Sequence, residues 1–181
     1  MNFKSIPQTI PLGVLAIAAF LAMPALAAPS NGFGINGGYV STSRDCGGCS
    51  ANNSSGFTLG IDYQFAISER LSISPFLQSS SETSSAASGI TIGHGVGGAE
   101  LRYWSGNVFT GVHLAEYSEV GVSGPFAIGG TGLGAGVVVG WESPNNGLYY
   151  MGQLDSATVR YSGIRDIGLT GFRLSAGYRF K

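Results

Sequence analysis

The stretch Gly171-Phe172-Arg173-Leu174-Ser175-Ala176-Gly177-Tyr178-Arg179-Phe180 decides the fold class. Phe172, Leu174, Ala176, Tyr178 and Phe180 share one face of an extended chain, and Arg173, Ser175, Gly177 and Arg179 share the other. Successive side chains of a strand point to opposite faces, so this two-residue alternation predicts a half-buried strand. The pattern recurs upstream. Phe57, Leu59, Ile61, Tyr63, Phe65 and Ile67 alternate with Thr58, Gly60, Asp62, Gln64 and Ala66. Leu133, Ala135, Val137, Val139 and Trp141 alternate with Gly134, Gly136, Val138, Gly140 and Glu142.

Extended over the chain, the pattern predicts strands at 32–43, 56–67, 71–81, 90–104, 108–121, 131–143, 148–161 and 169–180. Ser68-Glu69-Arg70, Ser105-Gly106-Asn107 and Pro144-Asn145-Asn146-Gly147 carry the chemistry of tight hairpin turns. The intervening loops, at 44–55, 82–89, 122–130 and 162–168, are longer and rich in Gly, Ser and Asn. Eight strands leave about 19 residues for each strand and its connection; twelve would leave about 13, when a membrane strand alone takes about 9–11. Alternation slips in the fourth, fifth and seventh strands, and Gly95, Gly97 and Gly98 suggest a bulge there.

Residues 1–27 read as a removable secretory leader. Lys4 supplies the positive start, Leu12 to Leu21 the apolar middle, and Ala25-Leu26-Ala27 the small-x-small cleavage pattern before Ala28. Pro24 interrupts an apolar run already too short for a spanning helix. The mature domain is then 28–181, exported. Of the 181 residues only 10% are charged, the net charge is −1, and 30 are glycine. A soluble domain covers itself with charge, at about 25% of its residues. The near-neutral balance also excludes a nucleic-acid partner, since no basic stripe exists to hold phosphates.

Soluble and membrane barrels are inside-out relative to each other. Here the polar strand faces are Gly, Ser, Thr and Gln with a few charges of both signs, which suits a crowded interior. Aromatics cluster at the predicted strand ends. Phe33, Phe65, Tyr103, Trp104, Phe109, Trp141, Tyr149, Tyr150, Tyr178 and Phe180 fall on the short-turn side, and Tyr39, Phe57, Tyr117, Tyr161 and Phe172 on the other. Such collars mark the two interfaces of a bilayer. The expected fold is all-β: an eight-stranded antiparallel up-and-down transmembrane β-barrel.

With short turns on one side, longer loops on the other and the ending Tyr178-Arg179-Phe180-Lys181, residues 32–180 resemble the small eight-stranded bacterial outer-membrane barrels of the OmpA transmembrane-domain, OmpX and opacity-protein type. The resemblance implies residence in the outer membrane and contact with its lipid and lipopolysaccharide. It also implies recognition of Tyr178 and Phe180 by the barrel-assembly machinery. The chain departs from the family's ending in carrying Lys181 after the last aromatic and Ser175 where a glycine is usual.

Side chains fill the lumen of an eight-stranded barrel. The inward candidates are Asp62, Glu100, Glu142 and Asp155 against Arg102, Arg173 and Arg179, a set expected to pair as a network that plugs the barrel. A narrow channel for ions or small solutes is the alternative. Cys46 and Cys49 form Cys-Gly-Gly-Cys in the first long loop, where an oxidising compartment favours a disulfide over a redox or zinc site. No pattern implies a metal or another cofactor.

One constellation would suit an enzyme. Pairing the fourth and fifth strands around Gly106 sets His94 opposite Ser118 with Glu116 diagonal to both, as a lipid-A-modifying acyl hydrolase would need. His113 reads as a lumen or collar residue. The Ser-rich segment from Ser79 to Ser88 reads as a mobile loop, open to surface contacts whose partner the sequence does not specify. The expected role is structural or surface-interacting.

Overall fold

The computed structural model describes residues 29–45, 52–85, 90–123, 126–161 and 166–181. The expected leader and the Cys46–Cys49 bridge lie outside the described residues. Eight strands form: β1 (Gly32–Asp45), β2 (Asn52–Ala66), β3 (Leu71–Ser84), β4 (Thr91–Ser105), β5 (Val108–Ser123), β6 (Phe126–Glu142), β7 (Leu148–Tyr161) and β8 (Ile167–Phe180). Each pairs antiparallel with its sequence neighbours, and β8 returns to β1 to close the barrel. Closure leaves no unpaired edge along the wall.

Hydrogen-bonded partners fix the stagger. From Ile35 they run through Ile61, Leu77, Gly97, Glu116, Leu133, Thr158 and Gly168 to Asp45, ten residues further along β1. Ten residues over eight strands corresponds to a strand tilt of about 40°. Each next strand therefore carries its partner a little over one residue higher along the barrel axis.

The strands outrun their expected ends. The predicted loops at 44–55, 82–89, 122–130 and 162–168 shrink because β1, β2, β3, β5, β6 and β8 extend into them. The Ser-rich segment is corrected most. Ser79 to Ser84 is strand, with Ser80, Glu82 and Ser84 buried inward, because alternate hydroxyls find partners in the lumen. The expected bulge in β4 is absent, since the pairing of Thr91–Tyr103 with β3 and of Thr91–Ser105 with β5 runs without a break. Gly98 faces inward, where a Cβ would collide with Leu114 and Ala115, so its glycine reflects close approach of β5. Gly106 adopts φ 63° in the two-residue turn between Ser105 and Val108, a conformation that glycine takes without strain.

The side-chain distribution is inside-out relative to a soluble domain. Leu59, Leu77, Leu114, Leu133, Val137, Leu154 and Leu174 point outward, with Leu133 76% and Leu114 72% exposed. Arg102 and Arg179 are each 1% exposed inside. Aromatics end this apolar belt, but fewer than expected. Phe33, Tyr63, Phe65, Trp141, Tyr150, Tyr178 and Phe180 form the turn-side collar, and Tyr39, Phe57 and Phe172 the loop-side one. Trp104, Phe109, Tyr149, Tyr117 and Tyr161 are buried inside instead. Their strand parity places them there: Trp104 pairs with Phe109 on the inner face, and the two rings pack 4.9 Å apart with Val138, Tyr149 and Met151.

β6 makes the room they need. Its inner face is mostly glycine, and a Cβ at Gly134 would press on Tyr117 and Ala157. Large inward residues of β5 thus lie over bare backbone.

Candidate functional site

The chemistry of this chain lies in the lumen, where charged and amide side chains form three layers. The turn-side layer is held by two arginines. Arg179 donates to Glu142 through Nε and to Asp62 through Nη1, both at 2.9 Å. Arg102 pairs with Glu100, stands 3.6 Å from Asp62 and donates 3.1 Å to Gln64. Tyr149 donates its hydroxyl to Asp62 at 3.0 Å, and the Arg179 guanidinium lies 5.2 Å over its ring. Arg102 lies similarly over Phe109, at 4.7 Å. Fork-like donors of fixed geometry suit this crowding, because one arginine satisfies two carboxylates.

The central layer joins Asp155 to Arg173 at 2.6 Å and to His113 at 2.9 Å. His113 is a lumen residue, packed edge-on against Phe76. The seven residues expected to form one network therefore divide in two: Asp62, Glu100, Arg102, Glu142 and Arg179 meet at the turn side, while Asp155 and Arg173 pair in the middle.

A third layer, on the loop side, was missed. Arg44 donates to Glu119 at 3.0 Å and to Ser54 at 2.6 Å, and its Nη2 lies 2.7 Å from His94 Nε2. His94 also lies 3.2 Å from Glu82 and 3.4 Å from Glu119. Glu82 accepts from Thr42 at 3.1 Å and from Ser54, and Glu119 accepts from Tyr161 at 2.6 Å. Arg44 and Glu82 fall in the predicted loops at 44–55 and 82–89. Both continue the inward parity of their strands just past the expected ends, which is the signal that would have found them.

The enzyme-like set is not assembled. His94 pairs with Glu119, not Ser118, one residue from the expected register. The turn has two residues, Gly106 and Asn107, whereas the expected pairing centred on Gly106 alone. A one-residue slip exchanges faces. His94 is consequently buried in the lumen, while Ser118 and Glu116 point outward. Among the described residues no group of three or more His, Cys, Asp or Glu is arranged to hold a metal ion.

A cavity lined by Thr42, His94, Tyr117, Asp155 and Arg173 measures about 10 Å³, which is the space of roughly one water. Tyr178 and Phe180 point outward at the end of β8, with ring centroids 4.9 Å apart, and Phe180 stacks on Phe33 at 6.4 Å.

No family model matches the chain, and no curated protein matches its sequence. Solved structures match its fold. Neisserial surface protein A superimposes with a TM-score of 0.58 at 13% identity, over 82% of this chain and 97% of that one. Ail, the attachment invasion locus protein of Yersinia pestis, gives 0.56 at 15% identity over 84% of this chain and 100% of that one. The complex of Ail with the heparin analogue sucrose octasulfate gives 0.56 at 14% identity, with the same coverage. The chain has the fold of these small eight-stranded outer-membrane barrels.

Proposed function

We propose that this chain is a resident of the bacterial outer membrane, reached through its cleaved leader. Its lumen is closed by side chains, and its role is structural or surface-interacting. The inverted distribution of side chains carries the reading: an outward apolar belt between two aromatic collars encloses buried arginines, carboxylates and amides. In water such a belt would be an aggregation surface, and in lipid it is the solvated face. The three polar layers supply the plug, each bonded across the lumen to strands on other sides of the barrel.

Lipid and lipopolysaccharide contact the belt, and the outward pair Tyr178 and Phe180 offers the barrel-assembly machinery its terminal aromatic signal. A surface role fits the likeness to a Neisserial surface protein and to an attachment invasion locus protein.

Two measurements test this. The protein is expected in the outer-membrane fraction of expressing cells, and recovery in the soluble fraction would remove the membrane reading. Reconstituted in planar bilayers, it is expected to stay silent. Discrete conductance steps would replace the plug with a narrow channel.

A further inference from the structure

Of the three charged layers in the lumen, two balance. At the turn side Asp62, Glu100 and Glu142 face Arg102, Arg179 and Lys181, whose Nζ lies 3.4 Å from Glu142. In the centre Asp155 faces Arg173. In the loop-side layer Arg44 is the one arginine or lysine among the described residues, set against two buried carboxylates, Glu82 and Glu119. Uncompensated buried charge is costly, and one further positive charge would cancel it. The group placed to carry that charge is His94, buried between the two carboxylates. Histidine is the side chain whose ordinary titration falls between about pH 5 and 8.

No single protonation state of His94 satisfies all its neighbours. Arg44 Nη2 stands 2.7 Å from Nε2, and a guanidinium can only donate, so Nε2 is bare in that contact. The proton of the neutral ring is then on Nδ1, 3.4 Å from Glu119 Oε2. That leaves Nε2 facing Glu82 Oε1 at 3.2 Å, two acceptors with no hydrogen between them. A second proton, on Nε2, reverses the conflict. It suits Glu82 but meets an N–H of Arg44, donor against donor. The other strands add no unpaired charge: β2 offers the Ser54 hydroxyl, β5 also Tyr117, and β6 Gly130 beside Glu119. Tyr161 of β7 donates to Glu119, and Asp155 of β7 is paired with Arg173 of β8.

We propose that the loop-side layer is a proton-operated latch. With His94 neutral, its Nε2 holds Arg44 Nη2 and ties β1 to β4 across the lumen. When Nε2 takes a proton from water at the loop-side mouth, it donates to Glu82 on the adjoining β3. Arg44 gives up that bond and keeps Glu119 and Ser54. The layer is then balanced in charge, and the loop-side end of β1, where Arg44 precedes Asp45, has lost one anchor. The chain thus presents a tighter end of β1 to neutral surroundings and a looser one to acidic surroundings. The latch needs only the closed barrel, whether lipid or detergent covers its outer face.

The test follows the whole barrel in detergent micelles by nuclear magnetic resonance, its histidines and arginines isotope-labelled, from about pH 8 to about pH 5. At the upper end His94 is expected to carry its proton on Nδ1 alone. On acidification Nε2 gains one, and the Arg44 guanidinium signals move with the same midpoint. Amides from Ser41 to Asp45, corrected for intrinsic exchange, are expected to lose about threefold to tenfold in protection across it, the equivalent of one hydrogen bond. His94→Gln keeps an acceptor for Arg44 and donors for a carboxylate but has no proton to gain. Its protection is expected to be the same at both ends of the range. A His94 ring that never changes protonation while the barrel stays folded overturns the latch, and so does an Arg44 signal that ignores the His94 midpoint. An unchanged pH dependence in His94→Gln overturns the assignment to His94. If that variant does not fold, the wild-type signals of His94 and Arg44 decide alone.

Discussion

Gln78 on β3 donates from Nε2 to Oε1 of Gln153 on β7, 3.0 Å away, across the full width of the lumen. Three strands separate the two in either direction around an eight-stranded barrel, so the bond ties opposite walls together. Both amides are buried, and Gln78 Oε1 and Gln153 Nε2 have no partner of their own. Gln78→Met should cost about 1–3 kcal/mol, because the Gln153 carbonyl is then left unsatisfied as well. Gln78→Met with Gln153→Met should recover much of that loss. Denaturant unfolding in vesicles checks it through a double-mutant cycle, and additive losses would show that the crossbar contributes nothing.

Arg44 and Glu119 form a second crossbar, from β1 to β5, nearer the loops. Both are buried, and removing Arg44 takes the guanidinium away from Glu82 and Glu119 together. Arg44→Met is expected to destabilise the barrel by about 3–5 kcal/mol. Adding Glu119→Gln should restore part of it. The readout is the temperature at which the folded barrel loses its compact mobility on an unheated gel. An Arg44→Met barrel that melts with wild type would contradict the buried-pair account.

Two glycines of the lumen wall should respond differently to one methyl group. At Gly136 a Cβ would run into the His113 ring and the Leu154 carbonyl. At Gly171 the nearest atom would be Asp155 Oδ2 at 3.5 Å, an ordinary contact on the edge of the small cavity. Gly136→Ala should therefore lose about 1–3 kcal/mol to overpacking. Gly171→Ala should fold as well as wild type. Folding yields in vesicles rank the two, and the reverse order would mean that the β6 face is not the tight one.

Leu174 and Ser175 are neighbours on opposite faces of β8, Leu174 half exposed on the outer face and Ser175 buried with its hydroxyl unpartnered. An arginine on the lipid face near the midplane costs about 2–4 kcal/mol. Leu174→Arg should lose that much in reversible unfolding, while Ser175→Ala should be neutral or slightly stabilising. If Leu174→Arg is harmless, the outer face is not in lipid.

What the residues determined alone is what local geometry carries. The alternation from Phe172 to Phe180 assigns a strand and its two faces because side-chain direction along a strand has a period of two. Asp62, Glu100, Arg102, Glu142, Asp155, Arg173 and Arg179 were thereby legible as residues of one face. Which of them meet was not. Arg179 reaches Asp62 only because β8 closes onto β1, and Arg44 reaches Glu119 only because the barrel brings opposite walls within one side chain of each other. Register was equally invisible: one residue in the Gly106-Asn107 turn moved Ser118 from beside His94 to the other face of the wall. Strand ends also escaped, because Ser80, Glu82 and Ser54 look like loop residues until the lumen supplies their hydrogen-bond partners. Periodicity is a property of neighbours in sequence. Pairing, closure and polar satisfaction are properties of neighbours in space.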